Sequence, residues 1–304
     1  MPPNPIVHGV YDAYTFSVQY VVTCPATRRC AIIDPVFDYD ERSGATSTRS
    51  ADDLLDYIAN ERLGLEWILE THPHADHISA AAYLKQRTGV PIAIGTHIRD
   101  VQTIWRSIYA WPELQCDGSQ WDRLFEDGDI FKIGDLEARV MYSPGHTLAS
   151  ITYVIGDAAF IHDTLFMPDT GTARADFPGG DAGDLYDSIT AILALPDATR
   201  TFVGHDYKEG GREAQWESTV GEQKLTNIHV AQRPSREAFV AMREARDARL
   251  PMPRLILHAL QANLRAGRLP EPDAEGRRFL RLPLDALRVR DTKVPRRSHL
   301  IGGR

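Results

Sequence analysis

The chain is poor in the residues that mark several protein classes. It has only three cysteines, Cys24, Cys30 and Cys116, in 304 residues. An odd, sparse count with no Cys-x-x-Cys pair argues against a disulfide framework and against cysteine-based zinc or redox motifs. It fits a reducing compartment, so a cytoplasmic location is expected. No run reaches the roughly 18 uninterrupted apolar residues of a membrane helix, so no membrane partner is expected. The start, Met1-Pro2-Pro3-Asn4-Pro5, has no basic flank or apolar stretch and does not read as a secretory signal. A basic excess is also missing: 34 Lys and Arg stand against 42 Asp and Glu, for a formal net charge of −8. Nucleic-acid binders neutralise phosphates with a basic surface, so nucleic acid is not expected as a partner. A small anionic substrate needs only a few local cations.

What is there suits a soluble globular core: 43% hydrophobic and 25% charged residues. The length allows one large domain with an extension. Apolar runs bounded by turn residues predict strands at 16–23, 30–33, 65–69, 91–94, 136–142, 151–155, 158–161 and 201–203. The polar stretch 38–50 reads as a loop. Helices are predicted at 50–64, 79–87, 185–195, 216–229 and 235–249. The first has Ser50 as cap, Asp53 completing a capping-box-like pattern and Gly64 as stop; Gly89 ends the second. Residues 97–127 look irregular, with Trp105, Trp111 and Trp121 read as core rather than pocket. The proline-rich, basic stretch 251–304 reads as an appendage. It can cover a neighbouring subunit in a homodimer, close over the pocket or wrap its own domain. Two runs of strands interrupted by helices suggest a sheet sandwich with helices outside.

The strongest chemical signal is Thr71-His72-Pro73-His74-Ala75-Asp76-His77, between an apolar strand and a helix. Imidazoles and a carboxylate are the ligand types that suit zinc, iron or manganese. Four such groups within six positions do not suit core packing, because burying them unpaired is costly. Three later residues sit where strands stop: His146 in Pro144-Gly145-His146-Thr147, Asp163 in Ile161-His162-Asp163-Thr164, and His205 in Gly204-His205-Asp206-Tyr207. Alone, each reads equally well as a capping or satisfied loop residue. With the cluster, all become candidate ligands or supporting groups.

This His-x-His-x-Asp-His pattern, followed by His146, Asp163 and His205, resembles the metallo-β-lactamase superfamily over residues 10–230. The resemblance implies an α/β fold, a four-layer αβ/βα sandwich with the metal site at one edge of the sheets. It places a catalytic domain at 1–230 and a C-terminal helical and proline-rich extension at 231–304. Gly171-Thr172-Ala173-Arg174-Ala175-Asp176-Phe177 with Gly179-Gly180, Ala31-Ile32-Ile33-Asp34-Pro35-Val36 and His205-Asp206-Tyr207 resemble persulfide dioxygenases. The nearest likeness is to their bacterial branch of β-lactamase-like hydrolase proteins linked to sulfide detoxification. That subgroup implies a single Fe(II) held by His72, His146 and Asp163. His74, Asp76, His77 and His205 then support those ligands or hold a second metal, with Asp76, His205 and Tyr207 managing protons. Arg174 and Tyr207 are the implied substrate contacts, Arg174 either pairing with a substrate carboxylate or bracing its loop through Asp176. Animal-type persulfide dioxygenases carry a glutathione-contacting arginine where this sequence has His229.

The implied reaction oxidises glutathione persulfide or a related persulfide with O2 to sulfite and thiol. The alternative is a hydrolase with one or two Zn(II) acting on a thioester, as in glyoxalase II, or on a lactone. Ile78-Ser79-Ala80 lacks the glycines typical of glyoxalase II. A third reading is a metal- or persulfide-binding sensor without turnover.

Overall fold

The computed structural model describes residues 4–287; residues 1–3 and the basic end of the tail, 288–304, lie outside the described residues. Two six-stranded sheets form the centre. The first is ordered β1 (Ile6–Tyr11), β2 (Val18–Thr23), β3 (Arg29–Ile33), β6 (Gly64–Leu69), β8 (Ile92–Gly95) and β9 (Arg123–Phe125). The second is ordered β10 (Ile130–Ile133), β11 (Leu136–Tyr142), β12 (Ile151–Ile155), β13 (Ala158–His162), β14 (Arg200–Val203) and β15 (Glu217–Thr219). A three-stranded ribbon joins β5 (Ala45–Ser47), β4 (Val36–Asp40) and β7 (Ile78–Ser79). The helices are α1 (Arg49–Asn60), α2 (Ala81–Thr88), α3 (Ile98–Ile108), α4 (Ala182–Leu193), α5 (Val220–Thr226), α6 (Arg236–Asp247) and α7 (Ile256–Asn263).

The layers follow from strand periodicity. Successive side chains point to opposite faces, so a strand buried on both faces feeds two cores. Val22, Ala31 and Ile33 pack between the sheets against Phe131, Val140 and Phe160. Their sequence neighbours Val21, Cys30 and Ile32 pack outward against helical residues such as Leu54, Leu84 and Trp105. On the far side, Ala159, Ile161 and Val203 pack under Leu185, Ile189 and Phe239 of α4 and α6. This is the expected four-layer αβ/βα sandwich. All three cysteines are free thiols, Cys24 and Cys30 buried and Cys116 half-buried. Trp105 and Trp121 are core residues, as expected.

Several local expectations are corrected. Residues 38–50 contain a hairpin in which Asp38 pairs with Ser47, its polar composition reflecting an exposed edge rather than a loop. Helix α1 starts one residue before Ser50, with Thr48 at the cap; Ser50 instead hydrogen-bonds Asp38, and the helix ends at Asn60 rather than Gly64. The 97–127 stretch is not irregular throughout: α3 buries Ile98, Val101, Gln102 and Trp105, and β9 follows. The 216–229 stretch opens as β15 before α5, which Thr219 caps by accepting from the Glu222 N–H at 3.1 Å. Gly89, at φ +73°, does end α2 as a left-handed cap.

Within the C-terminal stretch, α6 lies on the second sheet's helical layer through Phe239. Ile256, Leu260 and Leu264 join the outer core of the first sheet, and Ala259 and Ala262 pack on Ile78. No helix among the described residues is long and apolar enough to cross a membrane.

Candidate metal centre

The topology brings the chemistry-bearing turns to one edge. β6 runs into 72–77, β11 into 143–146, β13 ends at His162, and β14 leads to His205. One ligand atom each from His72, His146 and Asp163 lie within 4.8 Å of one another, as do those of His74, Asp76 and His77, and those of Asp76, Asp163 and His205. The residues singled out in four separate stretches of sequence therefore converge in space.

Hydrogen bonds fix which ring nitrogens face inward. Asp34 ends β3 with φ +52° and accepts from the Thr71 N–H at 2.8 Å and the Thr71 hydroxyl at 2.7 Å. That hydroxyl, its own proton committed, accepts from His72 Nδ1 at 3.0 Å. His146 Nδ1 donates to the Arg174 carbonyl at 2.8 Å. Both rings therefore carry the proton on Nδ1 and present the Nε2 lone pair, the arrangement that outer hydrogen bonds impose on ligating histidines. His77 Nδ1 is likewise engaged, by Asp76 at 2.8 Å. The buried nitrogens Nε2 of His72, both of His74 and Nε2 of His77 have no hydrogen-bond partner among the described residues. Buried polar atoms are rarely left so, and one such nitrogen on each of these three histidines fits a metal, the other His74 nitrogen, Nε2, facing Asp34.

The charge states agree. Burial, reinforced by neighbouring imidazoles, holds His72 well below the ordinary histidine range. Burial also lowers His146, against the pull of Asp163. Neutral rings are the form a cation binds. His205 is different: Nδ1 meets Asp163 at 2.6 Å and Nε2 meets Asp76 at 2.7 Å. Two carboxylate acceptors require both nitrogens to donate, so their charge overrides burial and raises His205 well above its ordinary value. His74 Nε2 lies 3.0 Å from Asp34 without hydrogen-bond alignment, and Asp34 overrides burial to raise His74.

Arg174 lines the adjoining cavity, but its guanidinium is engaged. Nε and one terminal nitrogen hold Asp176 at 2.6 and 2.8 Å, and the other terminal nitrogen donates to the Pro251 carbonyl at 2.6 Å. Of the two roles weighed for Arg174, the bracing contact is the one formed here. Tyr207 is 45% exposed and stacks parallel to His205 at 5.9 Å, so its phenol ring forms cavity wall. The cavity, about 710 Å3, opens from Asp76, His146, Asp163 and His205 toward Phe166, Phe177 and the 250–255 segment.

Four supporting groups escaped the sequence reading. Asp34 was noticed only within an apolar motif, though a buried Asp-Pro at a strand end was a usable signal. His162 adjoins His72 at 5.4 Å between ring centroids, and burial pushes it down to about 3. Its Nε2 is within 3.0 Å of both the Ser143 and Thr164 hydroxyls. Asn263 of α7 donates to the carbonyls of His74 and His77 and accepts from the Ser79 N–H, all at 2.8 Å. Buried Arg243 pairs with Asp247 and donates to the Thr172 carbonyl at 3.0 Å, while Asp247 accepts from the Ala175 N–H at 2.9 Å. This pair pins the segment whose Arg174 carbonyl orients His146. Gly145, at φ +128°, is also required: a Cβ there would lie 2.3 Å from the Leu185 backbone.

Comparison with known proteins identifies the family of this fold. A beta-lactamase hydrolase-like protein of Xylella fastidiosa is 64% identical over 284 residues, covering 93% of this chain and 66% of its own length. The chain thus spans just under two thirds of that relative. Glyoxylase B2 of Dictyostelium discoideum is 43% identical over 273 residues, covering 89% of this chain and 94% of its own. The crystal structure of ETHE1 from Myxococcus xanthus superposes with a TM-score of 0.70 at 31% identity, covering 86% of this chain and 100% of that one. The family model of the metallo-beta-lactamase superfamily matches residues 14–205. With its sandwich, its histidine–aspartate edge and these relatives, the chain belongs to the metallo-beta-lactamase superfamily.

Proposed function

We propose that the protein is an iron-dependent persulfide dioxygenase. The observation that carries this reading is the coupling of the Gly171–Phe177 segment, which resembles persulfide dioxygenases, to a two-histidine, one-carboxylate set. The Arg174 carbonyl of that segment receives the His146 Nδ1 proton. In the proposal His72, His146 and Asp163 hold one Fe(II) per chain. A ferrous ion held by these residues would supply redox chemistry, which zinc lacks. The reaction is persulfide plus O2 and water giving thiol, sulfite and two protons. The outer sulfur loses four electrons and dioxygen gains them.

The chain's own groups do the rest. The Thr71–Asp34 pair and the Arg174 carbonyl hold the two imidazoles in their ligating tautomers. Phe166 and Phe177 wall the cavity and limit water around the reacting sulfur. His205, between Asp163 and Asp76, holds a proton beside the site and can pass it to the leaving thiolate.

A second reading is a dinuclear zinc hydrolase acting on a thioester or lactone. It is favoured by the second set, His74, Asp76 and His77, and by Asp163 belonging to two of the three sets. In that reading His74, Asp76, His77 and Asp163 would help hold two zinc ions, which would supply Lewis-acid activation of water for hydrolysis.

Metal analysis separates them. The dioxygenase reading expects one tightly held Fe(II) per chain, lost in His72→Ala, His146→Ala and Asp163→Ala and retained in His74→Ala and His77→Ala. Two metals per chain, with one lost in each group of variants, would support the hydrolase.

A further inference from the structure

A second cavity, about 630 Å3, is lined by residues of α2 and of the turn that follows α7, and it shares no lining residue with the cavity beside the metal-ligand cluster. Lys85, Arg265, Arg268 and Arg278 line it, with Glu271 as its one lining carboxylate among the described residues. Many arginines of this acidic chain pair with carboxylates, as Arg200 does with Asp157 and Arg212 with Asp169 and Asp206. Lys85 follows that pattern through Asp122 at 2.7 Å. The three arginines of the cavity form no ion pair among the described residues. Arg265 donates from Nε to the Gln261 carbonyl at 3.3 Å and from Nη2 to the Arg268 carbonyl at 2.9 Å, and Arg278 donates from Nη1 to the Pro270 carbonyl. The exposed Arg268 side chain has no hydrogen bond among the described residues. Carbonyls orient a guanidinium without neutralising it.

The turn that carries these cations is fixed in place. The Ala266 carbonyl accepts from the Ala82 N–H at 3.0 Å. Gly267, at φ +79°, lies so close to Ser79 that a Cβ would stand 2.2 Å from the Ser79 carbonyl oxygen. Arg265 is half-buried, its guanidinium 5.0 Å from the centre of the Trp111 ring. Burial lowers Arg265 from its ordinary value, and the Arg268 and Arg278 cations add to that against Glu271. Repulsion among cations gathered at one concavity is a cost that an anionic ligand removes, whereas solvated surface charges relieve it by spreading apart. We propose that this cavity binds a ligand with two or more phosphate groups, either a nucleoside diphosphate or a free phosphate chain, through Arg265, Arg268 and Arg278. A guanidinium fork takes phosphate oxygens bidentately, and three uncompensated cations match a multiply charged phosphate better than a single planar carboxylate. Phe37, Tyr83 and Leu269 give the same cavity a wall for an organic body.

The test is calorimetric titration of the metal-loaded full chain, at fixed ionic strength, with ADP, adenosine and pyrophosphate. Wild type binds ADP at least tenfold tighter than adenosine. Arg268→Gln and Arg278→Gln each weaken ADP about tenfold, as the loss of one charge-assisted contact implies, and Arg268→Lys recovers part of the loss. Both arginines are exposed, so the variants keep the wild-type melting temperature. ADP binding tighter than pyrophosphate assigns the apolar wall to an organic body, and equal affinity assigns the site to the phosphate chain alone. ADP binding no tighter than adenosine overturns the proposal. So does ADP affinity unchanged in both glutamine variants, which is the behaviour of a phosphate chain chelating the metal at the other centre.

Discussion

Replacing Asn263 by alanine tests whether the C-terminal stretch is part of the metal centre. Asn263 is 1% exposed and lies at least 184 residues from the groups it touches. Its amide donates to the His74 and His77 carbonyls, and its carbonyl accepts from the Ser79 N–H, each at 2.8 Å. Alanine orphans two acceptors and a donor. At about 1–3 kcal/mol for each buried group, discounted for relaxation and shared strain, the expected loss is about 3–5 kcal/mol. The turn carrying His74, Asp76 and His77, which also carries the ligand His72, loses its hydrogen-bonded clamp from α7, and disturbing such outer support of a ligand costs about 10- to 100-fold in metal affinity. Chemical denaturation of the metal-free variant gives the first figure, and competition against a chelator gives the second. Asn263→Asp keeps the acceptor for Ser79 but sets a buried carboxylate oxygen against the two carbonyls, so it should be at least as damaging as alanine in both assays. A folded Asn263→Ala protein with metal affinity within twofold of wild type would refute the reasoning and leave α7 a packing element alone.

Other outcomes follow from the same structure. If Arg174 braces its loop, Arg174→Gln and Asp176→Asn should destabilise to similar extents. Their double-mutant cycle should show coupling of about 1 kcal/mol in denaturant titrations, and a rise in KM confined to Arg174→Gln would point to substrate contact instead. His229 accepts from the Thr172 N–H at 3.0 Å, and burial, helped by the Arg246 and Arg243 cations, pushes its pKa down to about 4 from 6.5. The unfolded chain then binds a proton that the folded chain refuses, so this contribution is complete above about pH 6.5 and is lost as pH falls toward 4. Allowing for partial exposure it is worth about 1–2 kcal/mol, and His229→Gln should flatten thermal stability over that window.

How much was legible depended on how local the signal was. The 72–77 cluster declares itself because four ligand-type groups share six positions. His146, Asp163 and His205 followed because each closes a readable strand. The inner strands of both sheets were legible from apolar runs, whereas the four edge strands, β1, β9, β10 and β15, were not predicted. Asn263 and the Arg243–Asp247 pair were not legible, because the backbone groups they hold are far away in sequence and no local pattern marks such a residue; Asp34 carried a signal, Asp-Pro at a strand end, that went unused. The hairpin at 38–50 was hidden by its exposure: edge strands carry polar residues and lose the alternation that betrays a half-buried strand. Helix α3 did carry a signal, with Ile98, Val101 and Trp105 at helical spacing, which the scattered tryptophans obscured. The guanidinium of Arg174 offered two equally good partners in sequence, and only the distance to Asp176 separates them.

The most direct measurement of the central claim is oxygen consumption by protein loaded anaerobically with ferrous iron and then given glutathione persulfide. The account predicts rapid uptake, with one sulfite formed per O2 consumed, and no uptake by the zinc-loaded protein. A sample confirmed to hold iron that consumes no oxygen with any persulfide, while the zinc-loaded protein cleaves thioesters or lactones, would contradict it.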